Sequence, residues 1–115
     1  MEPQLDGAPY GYAVWPGGQL PFAPFATLTE AEGLTVVAPL AALEAAGLMS
    51  EPWARISLAR SSDLAAVRLT AAFVEALSAD GISCKVIAGY HHDHIFVHWG
   101  RREDSVAVLR RLLDA

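Results

Sequence analysis

The hydrophobic period in the second half of the chain changes in a fixed order, and this order constrains the fold more than any other feature. Ile56 and Leu58 alternate with polar residues, which predicts a half-buried strand. Beyond Leu64 the apolar residues recur at spacings of three and four, which predicts a helix with one buried face. The whole pattern predicts strands over 54–59, 82–90 and 95–99, a helix from 64 to 80, and a final helix over 102–113. This βαββα order is the ferredoxin-like βαββαβ unit without its last strand, which is an α+β fold.

The ends of the predicted elements carry their own signals. Ser61 and Ser62 supply hydroxyl N-caps for the first helix, and Asp63 adds an acid in its first turn. Gly81 stands where a left-handed C′ residue belongs, with Ile82 able to fold back as the apolar contact of a Schellman ending. The four polar residues 91–94 lie between two apolar runs, and we interpret them as a hairpin turn.

The first part of the chain has a different character. Five prolines within residues 1–24 argue against helix there and favour short strands joined by turns. Strands are predicted over 10–15, 25–29 and 34–38, with a hairpin at Gly33 and a short helix over 40–46 that Gly47 ends. Residues 49–52 are the expected linker, so the chain divides into an N-terminal segment, 1–48, and a second module, 53–115. Because an unpaired edge strand invites aggregation, we expect the N-terminal segment to complete the sheet of the second module.

Charge and composition exclude several classes of partner. The chain of 115 residues carries 13 acidic and 8 basic side chains, a net charge of -5, which gives no support to nucleic acid or an anionic membrane as partner. No apolar run reaches the ~18 residues of a membrane span, and the acidic start lacks a signal peptide's basic region, so we expect a cytoplasmic protein. The single cysteine, Cys84, cannot form an internal disulfide and is expected to be an inert buried thiol.

Several short motifs resemble one family. The stretch 53–99 is similar to small bacterial ACT-domain proteins, which are related to the amino-acid-sensing ACT modules of aspartokinases and eukaryotic arginine sensors. The motifs that carry this resemblance are Ser61-Ser62-Asp63-Leu64, Leu69-Thr70-Ala71-Ala72, Ala79-Asp80-Gly81-Ile82-Ser83 and Tyr90-His91-His92-Asp93-His94-Ile95-Phe96-Val97. Leu5-Asp6-Gly7, Phe25-Ala26-Thr27-Leu28 and Leu34-Thr35-Val36-Val37-Ala38-Pro39 resemble the abbreviated first ACT module of the same proteins. One departure is Arg68, which stands where such sequences usually have glycine.

The resemblance implies a ferredoxin-like ACT fold that senses or regulates and has no catalysis of its own. It implies no cofactor and a small-molecule ligand, an amino acid being the usual class, bound at an interface between ACT modules. Because helices cover one face of such a sheet, the open surface leaves room for a second chain, and we expect a homodimer.

The expected ligand site begins at the first helix of the second module. Unpaired backbone N–H groups at a helix N-terminus suit a carboxylate, so Ser61, Ser62 and Asp63 are candidates. Ile82 and Ser83 offer backbone groups at the start of the next strand, and Asp63 or Asp93 is the candidate partner for a ligand's cation. His94, within the hairpin motif, completes the candidate set. The same serines and Asp63 also suffice as ordinary helix caps.

The histidines raise a rival interpretation. All four, at positions 91, 92, 94 and 98, lie within eight residues, and Asp93 lies between two of them. Such a cluster suggests a zinc site. In an extended strand, however, His94 and His98 are about 13 Å apart, too far for one ion. No spacing typical of a catalytic Ser/His/Asp or Cys/His set is present, so we predict no catalytic residues and no metal. Two alternatives remain: a structural ACT oligomer that has lost its ligand, with Arg68 closing the groove, and a metal-dependent enzyme built on the histidine hairpin.

Overall fold

The computed structural model describes residues 2–59 and 64–114. Its strands in this part of the chain are β1 (Gln4–Leu5), β2 (Tyr10–Trp15), β3 (Ala26–Glu30), β4 (Gly33–Pro39), β5 (Trp53–Ala59), β6 (Cys84–Ala88) and β7 (His92–His98). The helices are α1 (Leu40–Ala45), α2 (Leu64–Ala79) and α3 (Arg102–Asp114), with a single 3₁₀ turn, Trp99–Arg101, directly before α3. The chain folds as two units: the first comprises Ala8–Trp53, and the second comprises the chain up to Gly7 together with the chain from Ala54 onward.

The second unit has the predicted βαββα order. Its strands lie in the order β1-β5-β7-β6. Because successive side chains of a strand point to opposite faces, alternate residues of β5 and β7 enter one core with the buried faces of α2 and α3. This core is formed by Ala54, Ile56, Leu58, Phe73, Leu77, Ile82, Ile95, Val97, Val106, Val108 and Leu109. The expected α+β, ferredoxin-like arrangement is confirmed.

The short strand β1 pairs with β5, as expected for an N-terminal segment that completes the sheet. It runs antiparallel to β5, with Gln4 opposite Ser57 and Leu5 opposite Ile56. The Asp6 amide donates a hydrogen bond of 2.9 Å to the Arg55 carbonyl, which continues this pairing by one residue. Two exposed residues, Glu2 and Arg110, form an ion pair at 2.8 Å between the start of the chain and α3. The β1 strand therefore belongs to the second unit, although it lies within the sequence segment 1–48.

The end of α2 is the Schellman ending that the sequence predicts. Gly81 adopts a φ of +73°, a left-handed conformation that favours glycine. The Ile82 amide donates to the Leu77 carbonyl at 2.9 Å, and the Gly81 amide donates to the Ser78 carbonyl at 3.0 Å. Ile82 is buried in the core beside Leu77. Since Ile82 is used in this ending, β6 begins at Cys84, two residues later than predicted.

The predicted hairpin turn at residues 91–94 is wrong. His92, Asp93 and His94 belong to β7, and the turn comprises the three residues between Ala88 and His92. The Gly89 amide donates to the His92 carbonyl at 2.8 Å, and Ala88 pairs with Asp93 in the antiparallel ladder. Polar residues indicate a turn only where both faces of the segment are exposed to water, and that condition is not met here. Asp93 is instead buried, on the face that the helices cover.

The first unit is a small antiparallel sheet with one short helix. Its strands lie in the order β3-β4-β2, and Tyr10 of β2 pairs with Trp53. Gly33, the first residue of β4, has a φ of +146° and pairs with Glu30 of β3, so the predicted hairpin is present there. Val36, Ala38 and Leu43 form its buried centre. Among the described residues, no helix combines the length and apolar character needed to cross a membrane.

Candidate functional site: the groove beside α2

A groove runs along α2 in the second unit. Its larger part has a volume of about 890 Å³ and is lined by Thr70, Ala71, Val74, Glu75, Ser78 and Ala79 of α2 with Ala88 and Asp93. A smaller part, of about 370 Å³, is lined by Val74, Ser78, Gly81, Ile82, Ser83 and Cys84. Val74 and Ser78 line both parts, so we treat them as one feature, the α2–β6 groove. A volume of this size lies within the range typical of small-molecule sites.

Asp93 lies at one end of the groove. Its side chain is buried, with 6% of its surface exposed, and the Thr70 hydroxyl donates a hydrogen bond to Oδ2 at 3.1 Å. The alternation of β7 places Asp93 on the same face as the core residues Ile95 and Val97. Burying a carboxylate is costly unless it is paired or hydrogen-bonded, so Asp93 is a strong acceptor held at low dielectric.

The other lining residues give the groove an apolar wall and negative polarity. Ala71, Val74, Ala79 and Ala88 provide small apolar surfaces. Glu75 adds a second carboxylate and Ser78 a second hydroxyl, and the lining residues that the structure describes include no lysine or arginine. Such a lining favours a ligand with a positively charged group and a modest apolar body.

The structure brings together three of the seven predicted site residues. Asp93 lines the larger part of the α2–β6 groove, and Ile82 and Ser83 line the smaller part. Ile82 is 4% exposed, so its side chain serves the core. Ser61, Ser62 and Asp63 lie outside the described residues, as does the side chain of Arg68.

His94 does not join this group. It follows Asp93 in β7 and therefore points to the opposite face of the sheet, where its Nδ1 lies 2.9 Å from the Ser57 hydroxyl. This second cleft has a volume of about 400 Å³ and is lined by Gln4, Leu5, Asp6, Arg55, Ser57, His92 and His94. Arg55 and Ser57 are not among the site residues predicted from the sequence, although the alternation of β5 places them on one face.

Metal and thiol chemistry find little support in this part of the molecule. Within residues 2–59 and 64–114, no group of three or more histidine, cysteine, aspartate or glutamate side chains has a geometry that could hold a metal ion. The rings of His92 and His94 have centroids 6.1 Å apart. Burial raises the pKa of the Cys84 thiol, which disfavours the reactive thiolate.

Comparison with known proteins agrees with this geometry. One ACT domain model matches residues 48–111, and another matches residues 1–55. The chain belongs to the ACT-domain family. The ferredoxin-like ACT fold expected from the sequence is thereby confirmed. ACT domains are regulatory modules, and the α2–β6 groove lies within the longer of the two matches.

Solved structures extend the likeness over nearly the whole ACT chain. A protein of unknown function from Vibrio cholerae, described as a possible transport protein, is 39% identical with a TM-score of 0.83, covering 94% of this chain and 86% of that one. A protein from Agobacterium tumefaciens is 18% identical with a TM-score of 0.72, over 90% of this chain and 82% of that one. The regulatory subunit of aspartate kinase from Thermus thermophilus is 12% identical with a TM-score of 0.66, over 95% and 94%. No curated protein gives a significant match.

Proposed function

We propose that this ACT protein is a regulatory sensor without catalysis of its own, and that it binds an amino acid in the α2–β6 groove. The observation that carries the proposal is the buried carboxylate of Asp93, which lines a groove of about 890 Å³. The Asp93 carboxylate accepts a hydrogen bond from the ligand's ammonium group, while Val74 and the alanines contact the apolar part of the ligand. A charge-assisted hydrogen bond at low dielectric is stronger than a neutral one, which gives such a ligand its orientation.

The regulatory assignment rests on the family and on the fold of its neighbours. The structures that share this fold include the regulatory subunits of aspartate kinases from Thermus thermophilus and Thermus flavus. In such an arrangement the ligand alters an equilibrium between conformations or assemblies and is not consumed. This chain regulates a partner protein, and we expect the chain to be located in the cytoplasm.

We further propose that a second copy of the chain covers the groove. The strand β6 is the last in its sheet, with β7 as its neighbour among the described strands. Val74 and Val86 on this side of the unit are 39% and 38% exposed. An edge strand flanked by exposed apolar side chains is a natural surface for pairing between chains, and pairing there would enclose the ligand.

The proposal is tested by a panel of amino acids in a thermal-shift assay. A ligand at a hundred times its Kd stabilises the folded protein by about 2.7 kcal/mol, so an authentic ligand raises Tm in a concentration-dependent manner. Asp93→Asn preserves an acceptor for Thr70 and removes the charge, and it should weaken binding of that amino acid about ten- to a hundredfold. Glu44→Gln, an exposed acid of α1, is the matched control and should leave the affinity unchanged.

Two outcomes contradict the proposal. If no amino acid raises Tm while the protein remains an intact oligomer, the chain is a structural ACT protein without a ligand. If an amino acid binds equally well to the wild type and to a folded Asp93→Asn variant, the ligand lies elsewhere than the α2–β6 groove.

A further inference from the structure

Five polar side chains gather on the face of the second-unit sheet that α2 and α3 leave uncovered. The alternation of β5 places Arg55 and Ser57 there, and that of β7 places His92 and His94 beside them. Asp6 follows β1 and reaches the same cleft, whose volume is about 400 Å³. We call these five residues the sheet-face cluster. It contributes nothing to the α2–β6 groove, because Asp93 points to the other face of β7.

The cluster is held together by direct contacts. The Ser57 hydroxyl lies 2.9 Å from Nδ1 of His94, across the boundary between β5 and β7. The Arg55 guanidinium contacts the Asp6 carboxylate at 3.4 Å, and both side chains are largely buried. Three elements of the unit therefore fix these groups in place, which gives the cleft a preorganised set of hydrogen-bonding groups.

The charge of the cluster depends on its imidazoles. Arg55 and Asp6 form an ion pair, so protonation of His94 adds a positive charge to the cleft. Ile87, which pairs with His94 across the ladder, is apolar and provides no counter-charge. Two further basic residues lie along the same face: Lys85, which pairs with Phe96 of β7, and His98, two residues beyond Phe96.

The surroundings of His94 oppose its protonation. Burial lowers the pKa of this imidazole most, and the positive charges of Arg55 and His92 lower the pKa further, against a smaller opposite effect of Asp93. Because Arg55 and His92 disfavour a positive charge on His94, an anion bound in the cleft would favour protonation of this imidazole.

We propose that the sheet-face cluster binds a small oxyanion, meaning a carboxylate or phosphate group, and that binding is coupled to proton uptake by His94. In the protonated form, Nδ1 of His94 donates to Ser57 while Nε2–H becomes a further donor. The anion accepts hydrogen bonds from the His94 imidazolium and from the Arg55 guanidinium, which is suited to oxyanions by its planar fork. The site is independent of the amino-acid site proposed above.

The first test uses sulfate as the probe, since sulfate does not titrate near neutral pH. Proton NMR of the histidine Cε1–H groups is recorded between about pH 5 and 8 in sodium sulfate and in sodium chloride of equal ionic strength. The titration midpoint of His94 should rise in sulfate. As the pH falls, the affinity for sulfate should increase by about tenfold per pH unit over the range in which binding takes up one proton.

Matched variants identify the residues responsible. Arg55→Gln and Ser57→Ala should each weaken sulfate binding. His94→Gln should also weaken it and should remove most of the pH dependence of sulfate binding. His98→Gln, an exposed histidine of the same strand, is the control and should bind sulfate as the wild type does. Equal responses of His91, His92, His94 and His98 to sulfate, or unchanged binding in folded Arg55→Gln and His94→Gln proteins, would overturn the proposal.

Acetate and methyl phosphate, tested in the same way, separate the two sources of the oxyanion. Stronger coupling with acetate indicates a carboxylate ligand, and stronger coupling with methyl phosphate indicates a phosphate ligand. If neither anion is coupled to proton uptake, and sulfate acts only as chloride of the same ionic strength does, the proposed site is contradicted. None of these results depends on whether an amino acid binds in the α2–β6 groove.

Discussion

At the scale of single residues, His94 links the folded state to pH. Its folded-state pKa lies below the usual value because burial, Arg55 and His92 disfavour the charged form. The unfolded chain therefore binds this proton more readily than the native protein does. The stabilisation from a neutral His94 is fully present above about pH 6.5 and is lost as the pH falls through the lower folded-state value.

Replacing His94 should make the free energy of unfolding fall less steeply as the pH is lowered. We expect His94→Gln, which retains a hydrogen-bonding group for Ser57, to lose less stability than the wild type between about pH 7 and pH 5. Urea unfolding at a series of pH values, in chloride buffers, measures the difference. His98→Gln serves as the control and should follow the wild-type profile. A His94→Gln profile as steep as that of the wild type would place the acid sensitivity on other groups.

The residue types of the site could be predicted from the sequence better than their positions could. The sequence indicates Asp63 or Asp93 as the partner for a ligand's cation and predicts a turn at Asp93, whereas Asp93 lies buried beside Thr70. A polar residue within an apolar run has no signal that distinguishes a turn from a buried acceptor when its partner is 23 positions away. Arg55 and Ser57 went unnoticed because their significance depends on β7, whose register the misplaced turn had shifted.

At the scale of elements, Gly89 fixes where the β6–β7 hairpin turns. Its amide donates to the His92 carbonyl at 2.8 Å, and a Cβ added at this position would lie 2.9 Å from that same carbonyl oxygen. Because the obstacle is backbone and not a flexible side chain, the turn has to open to accept a methyl group. Only glycine permits this close approach of the two strands.

Gly89→Ala should therefore destabilise the protein by about 1–3 kcal/mol, the range typical of overpacking. The free energy of unfolding in urea provides the measurement. Gly100→Ala is a suitable control, since a Cβ there meets nothing within 4 Å. Equal stability of the two variants would show that the hairpin adjusts without cost.

The helices and most strands were predictable because their patterns are long enough to be unambiguous. The C-terminal end of α2 and the β6–β7 hairpin illustrate the difference between strong and weak signals. Gly81 and Ile82 predicted the Schellman ending with its partner residue, since that motif is local. The polarity of residues 91–94 does not distinguish a turn from a strand with a buried acceptor, and Gly89 is the local residue that marks the turn.

At the scale of the whole molecule, the βαββα order was enough to predict the ferredoxin-like fold of the second unit. The strand that completes the sheet was harder to identify, because β1 has two residues and so offers no period to detect. Its pairing follows from the general cost of an open edge beside β5 and not from its own sequence. The opposite edge, β6, is the surface on which the proposed homodimer depends.

The dimer can be tested by placing a charge on that edge. Val86 is 38% exposed on β6, and Val86→Lys should prevent pairing between chains because a lysine on an edge strand must stay in water. We expect the wild-type chain to sediment as a dimer at tens of micromolar, with an interface of roughly 1,200 Å² or more, and the variant to sediment as a folded monomer. Val14→Lys, at a position 57% exposed on β2, is the control and should leave the dimer intact.

The same variant connects assembly to ligand binding. If a second copy encloses the α2–β6 groove, the Val86→Lys monomer should bind the amino acid more weakly than the dimer does, although Asp93 is unchanged. The wild-type dimer should in turn tighten when that amino acid is present, because the coupling between two binding equilibria is reciprocal. Sedimentation velocity with and without ligand measures this coupling. A monomeric wild-type chain, or a dimer that Val86→Lys leaves intact, would mean that β6 is not the contact surface.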